Sequence, residues 1–149
     1  MAERGFPFVA SNDDAMNGIV KMRDVRFDKD LFINFRTRTI LDNLLCSYQG
    51  LPKGVNYMII GDPGVGKTTI ILDMLANIRK AQPSARILFI SAEMNEIDLA
   101  IYVERFPKFG DLNILFIEGG FDECSHSWQT VADTLDDGWD IVAIDSFHE

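Results

Sequence analysis

Eight consecutive residues carry the most specific chemical pattern in the sequence, Gly61-Asp62-Pro63-Gly64-Val65-Gly66-Lys67-Thr68. They match the phosphate-binding pattern G-x-x-x-x-G-K-[ST] at every required position. The glycines let the backbone come close to a ligand, so that successive N–H groups can hold phosphate oxygens at a helix N-terminus. The pattern predicts that Lys67 contacts the β- and γ-phosphates of a nucleotide and that the Thr68 hydroxyl ligates Mg²⁺. A glycine-rich turn that binds nothing is the alternative, but a chance match in 149 residues is roughly a one-in-hundreds event.

Two carboxylates follow apolar segments farther along the chain, where such a site needs a metal ligand and a base. Asp145 ends an apolar segment, and a hard cation such as Mg²⁺ prefers oxygen ligands while keeping part of its water shell. Taken alone it could equally be an ordinary acid in a turn, but the upstream phosphate loop favours the metal role. Glu93 lies two residues beyond another apolar segment, where the ends of parallel strands face a ligand crevice. It could orient or deprotonate an attacking water, or be a solvated loop acid or support the next helix.

The elements that must position these residues alternate between short apolar and longer amphipathic segments. Four apolar segments are predicted strands: Val55–Ile60, Arg86–Ser91, Leu112–Ile117 and Trp139–Ile144. Three amphipathic segments are predicted helices: Lys67–Lys80, a segment from an N-cap at Asn95 to about Phe106, and Ser127–Leu135. Strands alternating with helices predict an α/β fold, a parallel sheet with helices on both faces.

Two further local predictions concern the residues around this core. Thr39 or Asp42 is expected to cap a short helix with one apolar face, formed by Ile40, Leu41, Leu44 and Leu45. Asp140, which precedes the fourth predicted strand, is expected to be solvated. The sequence ends soon after that strand, so the sheet is predicted to lack C-terminal strands and the chain to be the front part of a larger domain.

Length and composition exclude several protein classes. The 149 residues, 47% hydrophobic and 25% charged, fit one globular domain and are too apolar for a disordered chain. There is no apolar run of ~18–20 residues and no secretory signal pattern, so a cytoplasmic protein without a membrane partner is expected. Cys46 and Cys124 lie far apart, which argues against a zinc ribbon or a disulfide scaffold.

The net charge of −9 is unevenly distributed along the chain. Residues 1–86 hold 12 basic and 9 acidic side chains, whereas residues 87–149 hold 2 basic and 14 acidic ones. The second part would repel nucleic acid at long range unless a local basic patch intervened.

Three segments occur in a recognisable order, GDPGVGKTT, ILFISAEMN and DIVAIDS, preceded by ILDNLL and GLPKG. This order resembles the core of RecA-type P-loop ATPases. It is most similar to the RadA/Sms repair ATPases and the DnaB-like replicative helicases, with the KaiC-like ATPases nearby. The resemblance covers residues 35–146, which leaves residues 1–34 as an N-terminal extension or docking arm and 35–149 as the RecA-like core.

The resemblance implies an ATPase that uses ATP and Mg²⁺ in DNA repair, recombination or replication. It implies that Glu93 activates the attacking water, that Thr69 contacts the α-phosphate, and that the protein forms a homo-oligomeric ring or filament. DNA is the implied partner of the complete protein. The sequence departs from the family in lacking a four-cysteine zinc module and in having Arg36-Thr37 where Thr-Gly is usual.

Two other functions remain open at this point. A small-molecule or nucleotide kinase is compatible with the phosphate loop, but residues 87–149 offer only Arg105 and Lys108 for a basic lid. A KaiC-like regulatory module would bind nucleotide with little turnover. Phosphate transfer to an acceptor would indicate the kinase, and binding without hydrolysis would indicate the regulatory module.

Overall fold

The computed structural model describes residues 34–45, 50–117 and 127–145. Residues 1–33 of the N-terminal extension and both cysteines lie outside these ranges. Within them the strands are β1 (Asn34–Phe35), β2 (Leu51–Pro52), β3 (Ile87–Ser91), β4 (Asn113–Phe116) and β5 (Ile141–Asp145). The α-helices are α1 (Leu41–Leu45), α2 (Lys67–Ala81), α3 (Glu96–Arg105) and α4 (Ser127–Asp136), and a 3₁₀ helix covers Pro107–Asp111.

The central feature is a three-stranded parallel sheet in the order β4-β3-β5. β3 lies in the middle, and its last residue, Ser91, is in register with Phe116 of β4 and Asp145 of β5. The carboxyl ends of the three strands therefore meet at one edge, which is where parallel sheets hold ligands. Three of the four predicted strands and all three longer predicted helices are confirmed, as is the α/β class.

Helices cover both faces of this sheet because neighbouring residues of β3 point to opposite sides. Ile87 and Phe89 lie in one buried cluster with the apolar side of α2, including Leu72, Leu75 and Ile78. Leu88 and Ile90 lie in a second buried cluster with Val131 of α4. A continuously buried middle strand is typical of a parallel sheet covered on both faces, and the predicted layering is confirmed.

The start of α3 follows the prediction closely. The Asn95 side chain accepts hydrogen bonds from the backbone N–H groups of Ile97 and Asp98, and the Asp98 carboxylate accepts one from the Asn95 N–H. This reciprocal capping box satisfies the first donors of the helix and fixes the point at which it begins.

The short helix α1 differs from the prediction. Of the expected apolar face, Ile40 and Leu44 are 83% and 80% exposed, whereas Leu41 is half-buried and packs against the core. Thr39 caps the helix, since its hydroxyl accepts a hydrogen bond from the Leu41 N–H. Asp42 has a different role: it is buried and accepts hydrogen bonds from the Thr37 hydroxyl, the Thr37 N–H and the Arg38 N–H. Polar contacts of Asp42 and the packing of Leu41 hold this segment.

The buried Asp42 predicts an acid-sensitive contribution to stability. Burial alone would raise the pKa of Asp42, but the hydrogen bonds from Thr37 and Arg38 and the nearby Arg36 charge outweigh burial and hold it below 3.8. Its ionised form therefore stabilises the fold above about pH 3.8, and this contribution is lost as the pH falls through the lower, folded-state pKa. We expect Asp42→Asn to lower Tm at pH 7 by roughly 5–10 °C. In thermal unfolding scans the difference in Tm should vanish once the pH is below the folded-state pKa of Asp42. The control Asp111→Asn, at an exposed site, should leave Tm unchanged. An equal loss of Tm at neutral and at acid pH would contradict the assignment.

The predicted strand Val55–Ile60 is wrong, since no strand in the described ranges pairs with it. Its apolar side chains are exposed, with Met58 and Ile60 at 84% each. Apolar, β-branched residues favour a strand, but only pairing with a neighbouring backbone makes one. Residues before and after the segment nevertheless contact β5 or the residue that precedes it: Lys53 forms an ion pair with Asp140, and the Thr68 hydroxyl hydrogen-bonds Asp145. The segment thus connects points at the two ends of β5 without joining the sheet.

Contiguous exposed apolar side chains such as these favour self-association. We therefore expect the apparent mass of the chain to rise with concentration in sedimentation experiments. Replacing Met58 and Ile60 together by Lys should shift the onset to concentrations at least about tenfold higher. Ile97→Lys is the matched control, because Ile97 is 73% exposed but lies on α3, outside this apolar segment. A wild-type chain that stays monomeric throughout would contradict this expectation.

Candidate nucleotide site

The glycine-rich loop leads directly into α2, as its pattern requires. Gly66 is the N-cap of α2 with φ 95°, and Gly64 has φ 78°. These are left-handed conformations that residues with a Cβ adopt only at a cost, so glycine is needed at both positions. Residues 61–65 are exposed, and Gly66 to Thr69 are half-buried. The loop therefore presents an accessible backbone at a helix N-terminus, where the partial positive charge favours phosphate.

The Lys67 side chain turns back over this loop. Its ammonium group donates hydrogen bonds to the carbonyl oxygens of Gly61, at 2.8 Å, and Asp62, at 3.0 Å. The charge is thereby held above the loop, where phosphate oxygens would lie. An anion bound there would compete with the two carbonyl oxygens for the lysine protons, and it would win because it carries charge.

The loop and the end of β5 meet through two oxygen-bearing side chains. The Thr68 hydroxyl donates to Asp145 Oδ2 over 2.5 Å, although the residues are 77 positions apart. Asp145 is buried, with 4% of its surface exposed, and it is the last residue of β5. The predicted metal ligands are thus brought together. A hydroxyl beside a carboxylate fits Mg²⁺, which prefers oxygen ligands and retains water molecules.

The metal would depend on ligands from the nucleotide and from water. Among the residues that the structure describes, no group of three His, Cys, Asp or Glu side chains converges as a metal site. Two protein oxygens at this position therefore favour a cation that enters with phosphate rather than one held by the protein alone.

Glu93 lies at the same edge of the sheet. It follows β3 in the turn before α3, and its side chain is exposed. The neighbouring Ala92 N–H donates to the Asp145 carbonyl over 2.9 Å, which attaches this turn to the end of β5. The turn that carries Glu93 is therefore bonded to the end of β5, where Asp145 lies. Because Asn95 and Asp98 cap α3, Glu93 is not needed for that task.

The sequence did not indicate the contacts at the opposite end of β5. Asp140, expected to be solvated, accepts a hydrogen bond from the Arg86 N–H at 3.0 Å and pairs with Lys53 at 3.2 Å. The Arg86 N–H is the main cause that lowers the pKa of Asp140. Arg86 also lies over the Trp139 ring, 4.9 Å from its centre. Asp140 is exposed, as predicted, but its partners are distant in sequence, and no local pattern marks them.

Comparison with known proteins gives one family match. The model of the type IV secretion-system coupling protein DNA-binding domain matches residues 52–143, which is more than half of the chain. The match includes the glycine-rich loop and Glu93 and ends two residues before Asp145. No curated protein and no solved structure matches the chain.

Two of the earlier expectations concern the family and the membrane. The matched family is not the RadA/Sms or DnaB group to which the motif order is most similar. None of the helices in the described ranges is long and apolar enough to cross a membrane. From the extent of the match, the chain belongs to the family of type IV secretion-system coupling protein DNA-binding domains.

Proposed function

We propose that the chain is a Mg²⁺-dependent P-loop ATPase whose ATP hydrolysis is coupled to the handling of DNA. The observation that carries the proposal is the contact of Thr68 with Asp145 at the start of α2. It joins a phosphate loop to a buried carboxylate at the end of a parallel strand, the arrangement that a metal–nucleotide complex requires.

Each residue of the site has a distinct task in this proposal. The loop from Gly61 to Gly66 donates backbone N–H groups to the phosphates, and Lys67 exchanges its carbonyl partners for β- and γ-phosphate oxygens. Thr69, in the first turn of α2, contacts the α-phosphate. Asp62, Pro63 and Val65 shape the loop without supplying charge to the phosphates.

Thr68 and Asp145 hold the cation. Mg²⁺, when bound, neutralises the charge that develops on the phosphate oxygens. Asp145 is suited to this because a buried carboxylate needs a partner, and in the structure its partner is the Thr68 hydroxyl. Glu93 orients the attacking water and accepts its proton, a role that a carboxylate at the sheet edge can fill.

The DNA-handling part of the proposal rests on the family match. A coupling-protein DNA-binding domain favours DNA transfer over the repair, recombination or replication roles expected from the motif order. The acidic excess after residue 86 makes that part of the chain a poor surface for the phosphate backbone. DNA contacts are therefore expected outside residues 87–149, and a ring or filament of several copies is the assembly in which this site would work.

The kinase alternative loses its support from the positions of two basic residues. Lys108 pairs with Asp73 of α2, and Arg105 lies over the Phe106 ring. Both are engaged in structural contacts of their own, and Lys108 is tied to α2. These contacts favour structural roles for both residues over the mobile basic lid that a kinase would close over its nucleotide.

The test is phosphate release from ATP, measured with Mg²⁺ or EDTA and with or without single-stranded DNA. We expect release only with Mg²⁺ and faster release with DNA. Metal-dependent ATP binding without release would favour the KaiC-like regulatory module. Failure to bind ATP at all would contradict the proposal.

A further inference from the structure

We infer that Ser91 is a positioning residue that holds Glu93 in place for water activation, an inference that rests on the proposed function. Ser91 is the last residue of β3, and every residue of that strand is buried. Only 1% of the Ser91 surface is exposed. A buried hydroxyl is costly unless it forms a hydrogen bond, so its presence in an apolar strand calls for a partner.

That partner lies just beyond Glu93. Ser91 Oγ donates to the carbonyl oxygen of Met94 over 2.9 Å. The bond closes a small loop that contains only Ala92 and Glu93 between the bonded residues. A side chain-to-backbone bond of this kind fixes the path of a turn much as a backbone bond would.

The turn is also hydrogen-bonded to residues at the ends of both strands that neighbour β3. The Ser91 carbonyl accepts from the Ile117 N–H at 2.9 Å, and the Ala92 N–H donates to the Asp145 carbonyl at 2.9 Å. Directly after the turn, the Asn95 capping box fixes the start of α3. Hydrogen bonds therefore fix the chain before and after Glu93. The bond from the Ser91 hydroxyl to the Met94 carbonyl spans Glu93 itself.

The position of a catalytic base matters more than its presence. A displacement of about 1 Å can lower a rate about 100-fold, because the reacting atoms no longer meet in the productive geometry. Losing the Ser91 hydroxyl would let the backbone of Glu93 move while leaving the phosphate loop, Lys67 and Asp145 in place. Nucleotide binding should then be retained while turnover is lost.

The experiment compares Ser91→Ala with Thr134→Ala. The control removes another hydroxyl that bonds a backbone carbonyl, that of Thr130 at 2.7 Å on α4, outside the site. We expect Ser91→Ala to lower kcat about 10- to 100-fold with ATP affinity changed less than about threefold. Thr134→Ala should keep the wild-type kcat. Unchanged kcat in Ser91→Ala, or a parallel loss of kcat and ATP affinity, would overturn the inference.

Two further measurements separate positioning from general loss of structure. In a Glu93→Gln background, Ser91→Ala should cause no additional loss of single-turnover rate, because the residue on which it acts is already disabled. Amide hydrogen exchange should accelerate at residues 92–94 in Ser91→Ala and stay unchanged along α2. Unchanged exchange at 92–94 would overturn the inference whether or not the chain turns over ATP.

The two proposals fail in different ways. If Glu93→Gln keeps the wild-type rate, the role proposed for Glu93 is wrong. If Glu93→Gln is inactive while Ser91→Ala is fully active, the ATPase assignment stands and only the role of Ser91 is lost.

Discussion

Glu93→Gln is expected to lower the rate of ATP hydrolysis by about 10²–10⁴-fold, the range that a general base contributes. The amide keeps the size of the side chain but cannot accept the proton of the attacking water. ATP affinity should change little, because Glu93 lies in the turn after β3 and not in the phosphate loop. The measurement is phosphate release at saturating ATP together with equilibrium binding of a non-hydrolysable ATP analogue.

The matched control is Glu104→Gln, at an exposed glutamate on α3. This substitution removes the same charge on the helix that follows the Glu93 turn, away from the sheet edge. It should keep the wild-type rate. Equal rates for Glu93→Gln and Glu104→Gln would remove Glu93 from the mechanism.

Lys67→Ala is expected to weaken ATP binding by about 10- to 100-fold or more. The substitution removes the positive charge that the structure holds over the loop, through the Gly61 and Asp62 carbonyls, where phosphates would lie. Charge-assisted hydrogen bonds to phosphate are among the strongest in proteins, and each factor of ten corresponds to about 1.4 kcal/mol. Isothermal titration with ATP and Mg²⁺ measures the loss directly.

Lys80→Ala serves as the control for this substitution, since Lys80 is an exposed lysine near the end of the same helix. Its removal changes the net charge equally but not the loop. If both variants bind ATP as tightly as the wild type, the phosphate loop does not hold the nucleotide in the way proposed.

Features set by local sequence could be predicted from it. The phosphate loop needs glycine at positions with left-handed backbone, and Gly64 and Gly66 adopt such angles. The start of α3 depends on Asn95 and a residue three positions later, so its cap was visible in the sequence. The meeting of Thr68 with Asp145 follows from the strand–helix alternation, which brings strand ends together at one edge.

Features set by distant partners could not be predicted. Val55–Ile60 has the composition of a strand, yet no described strand pairs with it. Asp140 is held by Arg86 and Lys53, which are 54 and 87 positions away. In each case the deciding contact is tertiary, and residue type alone does not reveal it.

The three motifs predict the site but not the biological process. The phosphate loop, the glutamate after the second predicted strand and the aspartate after the fourth predict a nucleotide site in any family that shares them. They do not identify the process that hydrolysis drives, and the family that matches is a coupling-protein DNA-binding domain rather than a group of repair ATPases.

The central claim, a Mg²⁺–ATP complex held between the phosphate loop and Asp145, is tested most directly by titrating the wild-type chain and Asp145→Asn with ATP, in Mg²⁺ and in EDTA. We predict that Mg²⁺ strengthens binding to the wild type at least about tenfold and that Asp145→Asn loses most of this gain. Equal affinities in Mg²⁺ and EDTA, or an undiminished Mg²⁺ effect in Asp145→Asn, would contradict the claim.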